Sequence, residues 1–405
     1  MSHIQDKLSS LSSAQRAVLK YIDDRAASLQ PDAVNQLTHI LQRAHCTQEM
    51  LHDALECIRH HARIVLHFHP DRYGKKQITV AEALLKEGQY RSQFETGLSS
   101  GGRSAFPGGD RDNWERTLFG GVYHHSESTE KERPKYGALE LIRYPDGPWP
   151  RFGSSYLVLR VSVSSRSTFT FSGSEQSSAP ERVGTIDRMD VVMAALLAEI
   201  EKGEGARVPW PPFVADTLGV KGLTVSRLLK RLSRDLPSPR PNPSIPPAGR
   251  VLDTGIEAQV HGPVDLRRDV ERIVVDPSFQ GTTTGEFLIK LSRKYSIPLD
   301  WHCGFRLAVR EILSEFRGPA IPRIALRIAG DGVIDTAVIG AAEASLHLES
   351  EKWRDWGTHD ETLQHLKQLW HVLFIMEHQY VKGSIPPLSV ESMKLLKVDA
   401  VSYLS

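Results

Sequence analysis

The sequence predicts an α+β protein: a mixed, mostly antiparallel β-rich core with helices before, within and after it. Three observations predict it. Apolar residues recur at helical spacing over residues 13–62, through Leu37, Ile40, Leu41, Leu51 and Leu55. Short β-branched runs bounded by Pro and Gly follow, among them RIVLHFH, SSYLVLRVSV, STFTFS and IEAQVHG. From about residue 341 the pattern is helical again.

Taken in order, SSAQRAVLKYI opens with serines suited to a helix N-cap. RIVLHFH reads as a buried strand ending at Pro70, and TVAEALLKEG as a short helix with Thr79 as cap and Gly88 as stop. Residues 90–150 show little periodicity and read as a long loop. Its interleaved Phe94, Phe106, Trp114, Phe119, Tyr123 and Tyr136 argue for order. SSYLVLRVSV and STFTFS read as strands joined by a tight connection, and DRMDVVMAALLAEIEKG as a helix. PSPRPNPSIPPAG (237–249) is a proline linker. LDTGIEAQVHG and RDVERIVVD follow as extended segments, then TGEFLIKLSRKY as a helix. The expected division is a helical segment 1–62, a catalytic α+β domain 63–325 and a mainly helical part 326–405. Residues 187–250 interrupt the catalytic domain as a helical insertion and linker.

Of the 405 residues 40% are hydrophobic and 24% charged, as in an ordinary globular protein. The 50 basic and 49 acidic residues leave a net charge of +1, which argues against a nucleic-acid coat or a polybasic membrane anchor. Three cysteines, odd in number and without metal-knuckle spacing, fit reduced thiols in a cytoplasmic protein. The N-terminus lacks the apolar core of a signal peptide, and no run reaches the 18 or so apolar residues of a membrane span. A soluble cytoplasmic protein is expected; an effector or toxin exported by a dedicated machine would read the same.

Four stretches carry polar chemistry. In RIVLHFH, strand alternation puts His67 and His69 on one face with Val65, and Ile64, Leu66 and Phe68 on the other. Two imidazoles at i and i+2 can converge on a metal or a phosphate, and Asp71 and Arg72 crowd the same end. YRSQFETGLSSGG offers Glu95, Thr96 and Ser99 beside glycines that let a backbone approach a ligand. GGDRDNWERTLFGG offers Arg111 on a ligand-facing loop, and ERPKYGALEL adds Tyr136, an aromatic for stacking or for the core. In IEAQVHG, Ile256, Ala258 and Val260 pack one way while Glu257, Gln259 and His261 point the other. A solvent-facing strand would alternate in the same way. Separately, VADTLGVKGLTVSRLLKRL (214–232) has the cadence of a helix-turn-helix with Arg227, Lys230, Arg231 and Arg234 on a basic face, so a DNA-binding regulator stays open.

FHPDR, YRSQFETG, FPGGDRDNWERTLFGG, ERPKYGAL, RSTFTFS, IEAQVHG and VVDPSFQGT, in that order over roughly residues 60–320, resemble the bacterial and fungal family called domain of unknown function 3626. More distantly the chain resembles ADP-ribosyltransferases. That resemblance implies a split, mostly antiparallel sandwich with Arg or His on its first strand, Ser/Thr on a middle strand and Glu on a later one. It points to His67, His69 and Arg72, then Thr96 and Ser99 (or Ser167 and Thr168), then Glu257 with Gln259 where the family has Glu-x-Glu or Gln-x-Glu. It implies NAD as substrate, cleavage of its nicotinamide–ribose bond, and ADP-ribose transfer to an acceptor, proteins included. Glu257, Gln259 and His261 would then be catalytic. His67, His69, Arg72, Glu95, Thr96, Ser99, Arg111 and Tyr136 would bind NAD. The rival reading is a metal-dependent hydrolase with His67, His69 and His261 around Zn or Mn, completed by Glu257 or Asp110.

Overall fold

The computed structural model describes residues 11–98, 105–124, 129–202, 217–220, 222–240, 255–312, 314 and 317–380. Helix α1 (Ser13–Arg43) begins with a reciprocal cap: the Gln15 N–H donates to Ser12 Oγ and the Ser12 N–H to Gln15 Oε1. Helix α2 (Gln48–His61), capped by Thr47, precedes strand β1 (Arg63–Phe68). Helix α3 (Val80–Glu87) has the predicted cap, Thr79, and the predicted stop, Gly88 at φ 69°. Strand β2 (Gln89–Tyr90) follows.

The stretch 90–150 is more structured than its sequence suggested. It holds helix α4 (Asp110–Leu118) and strand β3 (Lys135–Glu140). The helix escapes a periodicity search because Asp112 and Glu115 take inward positions where apolar residues are expected.

Strands β4 (Ser155–Leu159), β5 (Ser167–Phe171) and β6 (Val183–Thr185) lead to helix α5 (Asp190–Glu201) and helix α6 (Val225–Asp235). Strands β7 (Ile256–Val260), β8 (Val264–Asp265) and β9 (Val270–Val275) come next, then helix α7 (Thr283–Tyr295) and strand β10 (Leu299–Trp301). Strand β11 (Arg306–Ala308), helix α8 (Ala320–Ala329), strand β12 (Val333–Asp335), helix α9 (Thr336–Leu348) and helix α10 (His359–Tyr380) end the described chain. Among the described residues no helix is long and apolar enough to cross a membrane.

The main sheet runs β10-β9-β4-β1-β3-β7-β5-β6, antiparallel throughout except between β10 and β9, so the fold is α+β and mostly antiparallel as expected. Its eight strands form one hydrogen-bonded series where a split sandwich was anticipated. The one interruption that matters lies between β1 and β3, whose ladder stops at Val65–Ala138 while β1 continues beside β4 to Phe68. Strands β4 and β5, close in sequence, are not neighbours. β4 joins β1 and β9, whereas β5 joins β7 and β6.

Alternation sorts the sheet's two faces as read from sequence. Ile64, Leu66, Ile256, Ala258 and Val260 enter the large core covered by α1, α2, α5, α6 and α7. On the opposite face Val65 packs with Tyr156, Val158 and Val274. A second core joins β11, β12, α8, α9 and α10 to Ala138 and Trp149 of the main body. It also takes in Phe305, Leu307 and Val309, so the C-terminal part drawn from 326 shares its core with residues upstream.

Helix α6, the recognition helix of the DNA-binding reading, buries Val225, Leu228, Leu229 and Leu232, and its basic residues Arg231 and Arg234 pair with Asp235. Of the segment before it, 214–216 lie outside the described residues and Thr217–Gly219 is a single 3-10 turn. Most of the proline linker also lies outside them. At its start Arg240 forks onto Glu140 with bonds of 2.7 and 2.6 Å.

Candidate active site

Strand β7 lies between β3 and β5, and cross-strand partners point to the same side. Tyr136, Gln259 and Thr168 are level, as are Ala138, Glu257 and Thr170. The sheet therefore carries a block of polar side chains on the face away from the large core.

Within this block the hydrogen bonds run in one direction. Gln259 Nε2 donates to Glu257 Oε1 at 2.9 Å and to Thr170 Oγ1 at 3.0 Å. Its Oε1 accepts the Thr168 hydroxyl at 2.9 Å. Having spent its proton there, Thr168 accepts from His261 Nε2 at 3.1 Å, which leaves His261 Nδ1 to accept the Tyr123 hydroxyl at 2.7 Å. His261 is thus the neutral Nε2–H tautomer. Burial pushes it down to about 3, with Lys135 and Arg166 adding to the effect. Every donor in the chain from Tyr123 points toward Glu257. Glu257 Oε1 also accepts the Ser174 N–H at 3.2 Å. Glu257 is 6% exposed, and burial pushes its carboxyl up to about 7 against the opposing charge of Arg111.

Helix α4 supplies the other wall. Arg111 lies 4.3 Å from the ring centroid of Tyr136 and 4.9 Å from that of Trp114, and donates to Ser174 Oγ at 2.8 Å. The Tyr136 hydroxyl donates to Glu115 Oε1 at 2.7 Å, and Arg133 bridges Glu115 at 2.6 Å and Asp112 at 2.5 Å. These ion pairs explain why a helix with an acidic inner face can be buried.

The remaining predicted residues go elsewhere. His67 sits on β1, on the same sheet face as Glu257, but both its nitrogens are engaged. Nδ1 donates to the Gly153 carbonyl at 2.9 Å and Nε2 accepts the Trp149 N–H at 3.2 Å. His69 lies past the strand with its ring edge-on to Trp370, centroids 5.0 Å apart, and Arg72 pairs with Glu343 of α9. In the loop before β4 a Cβ on Gly147 would come within 2.6 Å of the His67 ring, and a Cβ on Gly255 would come within 3.3 Å of the Trp149 ring. The charged neighbours of Glu257 are Arg111 and Glu175, those of His69 are Arg72 and His67.

Glu95 and Thr96 shape a single helical turn, Gln93–Thr96. Glu95 caps the Ser92 N–H at 2.9 Å and pairs with Arg91 at 2.7 Å, while Thr96 donates to the Ser92 carbonyl at 3.0 Å. Ser99 lies outside the described residues. Of the two Ser/Thr pairs weighed, Thr168 bonds Gln259, and Ser167 turns away to bond the Val163 carbonyl. Thr170 and Ser174 were not anticipated, although Thr168 and Thr170 alternate with Phe169 and Phe171 and so could have been read as one polar face. His67, His69 and His261 do not converge. Asp110 is exposed at the start of α4, and among the described residues no three His, Cys, Asp or Glu side chains are placed to hold a metal ion.

The family model described as Protein of unknown function (DUF3626) matches residues 63–376. The chain belongs to this family. The DUF3626 match runs from the start of β1 into α10, past the stretch to which the sequence motifs reach, and takes in both cores. No curated protein matches the sequence.

Proposed function

We propose that this DUF3626 protein is an ADP-ribosyltransferase-like enzyme that uses NAD, with Glu257 as its decisive residue. In the reaction the bond from ribose C1′ to the nicotinamide nitrogen breaks, and its electron pair leaves with neutral nicotinamide. Positive charge builds on the ribose as in an oxocarbenium ion. An acceptor lone pair then forms the new bond to C1′, and the acceptor releases a proton.

The observation that carries this reading is the Glu257 carboxyl, fixed by Gln259 and the Ser174 N–H at the end of a one-way chain of donors. A carboxylate about 5 Å from a ribosyl cation contributes on the order of 3 kcal/mol at an effective dielectric of 20. That is on the order of a hundredfold in rate. Thr168 and Thr170 supply the middle-strand hydroxyls in place of Thr96, and Arg111, clamped between two aromatic rings, supplies a guanidinium for the pyrophosphate. His67 holds the loop that bounds the site.

The full chain incubated with NAD labelled in its adenylate half should release labelled ADP-ribose or transfer it to a protein acceptor. Glu257→Gln, which keeps shape and hydrogen-bonding capacity, should lower that rate about a hundredfold. Equal rates in the two proteins would contradict the proposal.

A further inference from the structure

The loop after β5 connects the two charged groups of the candidate site. Ser172 takes a left-handed conformation, φ 68°, and its N–H donates to the Gly255 carbonyl at 2.7 Å, which turns the chain back across the start of β7. Ser174, 4% exposed, is thereby brought between β7 and α4. Its N–H donates to Glu257 Oε1 at 3.2 Å, and its Oγ accepts from Arg111 Nη1 at 2.8 Å. Carboxyl and guanidinium are joined through this one residue and form no ion pair with each other.

Arg111 is held in place by the rings of Tyr136 and Trp114, and its Nε is buried without a hydrogen-bond partner among the described residues. The acids acting on its guanidinium are Tyr136, Glu257, Glu115 and Glu175. Glu115 is already engaged by Tyr136 and Arg133, and Glu175 is exposed. Glu257 is thus the buried carboxyl to which Arg111 would turn if its neutral acceptor were removed. Seen from Glu257, the groups that carry or gain charge are Arg111 on α4, Glu175 on the loop and Tyr136 on β3. A closed pair with Arg111 would neutralise the carboxylate that a ribosyl cation needs beside it.

On the reading of Glu257 as the decisive group, we infer that Ser174 is a positioning residue: a spacer that keeps Arg111 from closing an ion pair with Glu257. A serine can do this because its backbone N–H serves the anion while its hydroxyl oxygen serves the cation, and neither bond transfers charge.

The test follows the Glu257 carboxyl in the full chain, without NAD, by carbon NMR of protein labelled at glutamate Cδ, with Glu257→Gln identifying the signal. Ser174→Ala keeps the N–H and removes Oγ. Arg111 should then turn to Glu257, and the carboxyl should titrate about one pH unit or more below the wild type. Ser174→Thr, which keeps a hydroxyl, should titrate as the wild type does. Ser174→Ala combined with Arg111→Gln should return the midpoint to the wild-type value or above it. A merely structural role for Ser174 would lower stability and leave this midpoint in place. An unchanged midpoint in Ser174→Ala, or a fall that Arg111→Gln does not reverse, would overturn the inference. Because no NAD is present, either result is separate from whether the protein consumes NAD.

Discussion

Gln259 and Glu257, two positions apart on one strand, share a hydrogen bond: the amide of the first donates to Oε1 of the second at 2.9 Å. The same amide accepts from Thr168 and donates to Thr170, so it links three strand-borne groups at once. Gln259→Leu takes one bond each from the Thr168 hydroxyl, the Thr170 hydroxyl and the Glu257 carboxyl in a buried place. The expected cost is about 2–4 kcal/mol, read as a lower urea midpoint at unchanged slope. A variant as stable as the wild type would show that water replaces the amide.

The pH dependence of stability follows from three buried carboxyls. Burial pushes Glu257 and Glu343 up to about 7 and Asp71 to about 6, while Arg111 opposes it at the first and Arg72 at the other two. Between roughly pH 4 and these values the folded chain holds protons that the unfolded chain has released. The stabilising contribution is therefore complete below the unfolded values and is lost as pH rises through about 6 to 7. Urea midpoints should fall across that window. Glu343→Gln needs no proton to stay neutral, so its midpoint should fall less; a slope identical to that of the wild type would speak against the assignment.

Arg133 holds Glu115 and Asp112 at once, beneath the ring that carries Arg111. Arg133→Met strands two buried carboxylates and should cost about 3–5 kcal/mol in chemical denaturation. Tyr136→Phe, which removes only one donor to Glu115, should cost about 1–2 kcal/mol.

Gly137 marks where β1 and β3 part. A Cβ there would overlap the Val65 carbonyl and a Leu66 methyl group. Gly137→Ala should pry β1 from β3 and destabilise the protein by about 1–3 kcal/mol or more. Its earliest sign should be lost protection of the Val65 and Ala138 amides in hydrogen exchange.

The sequence was informative where one force dominates. Strand alternation sorted both faces of β1 and β7, and Thr79 with Gly88 bounded α3, because apolar burial and cap chemistry are local. Helix α4 was hidden because ion pairs to Arg133, brought from 18 and 21 positions away, replace its apolar stripe. The engagement of His67 was not legible either. It depends on the close approach of Gly147 and the Trp149 N–H to its ring, a packing event without a periodic signal.

The most direct test of the account is nicotinamide release from NAD by the purified full chain and by Glu257→Gln, followed from pH 5 to 9. Wild-type release is expected to rise with pH through about 7 as Glu257 ionises, and the variant to be slower by about a hundredfold with no such rise. Release by the variant at the wild-type rate and with the wild-type pH profile would contradict it.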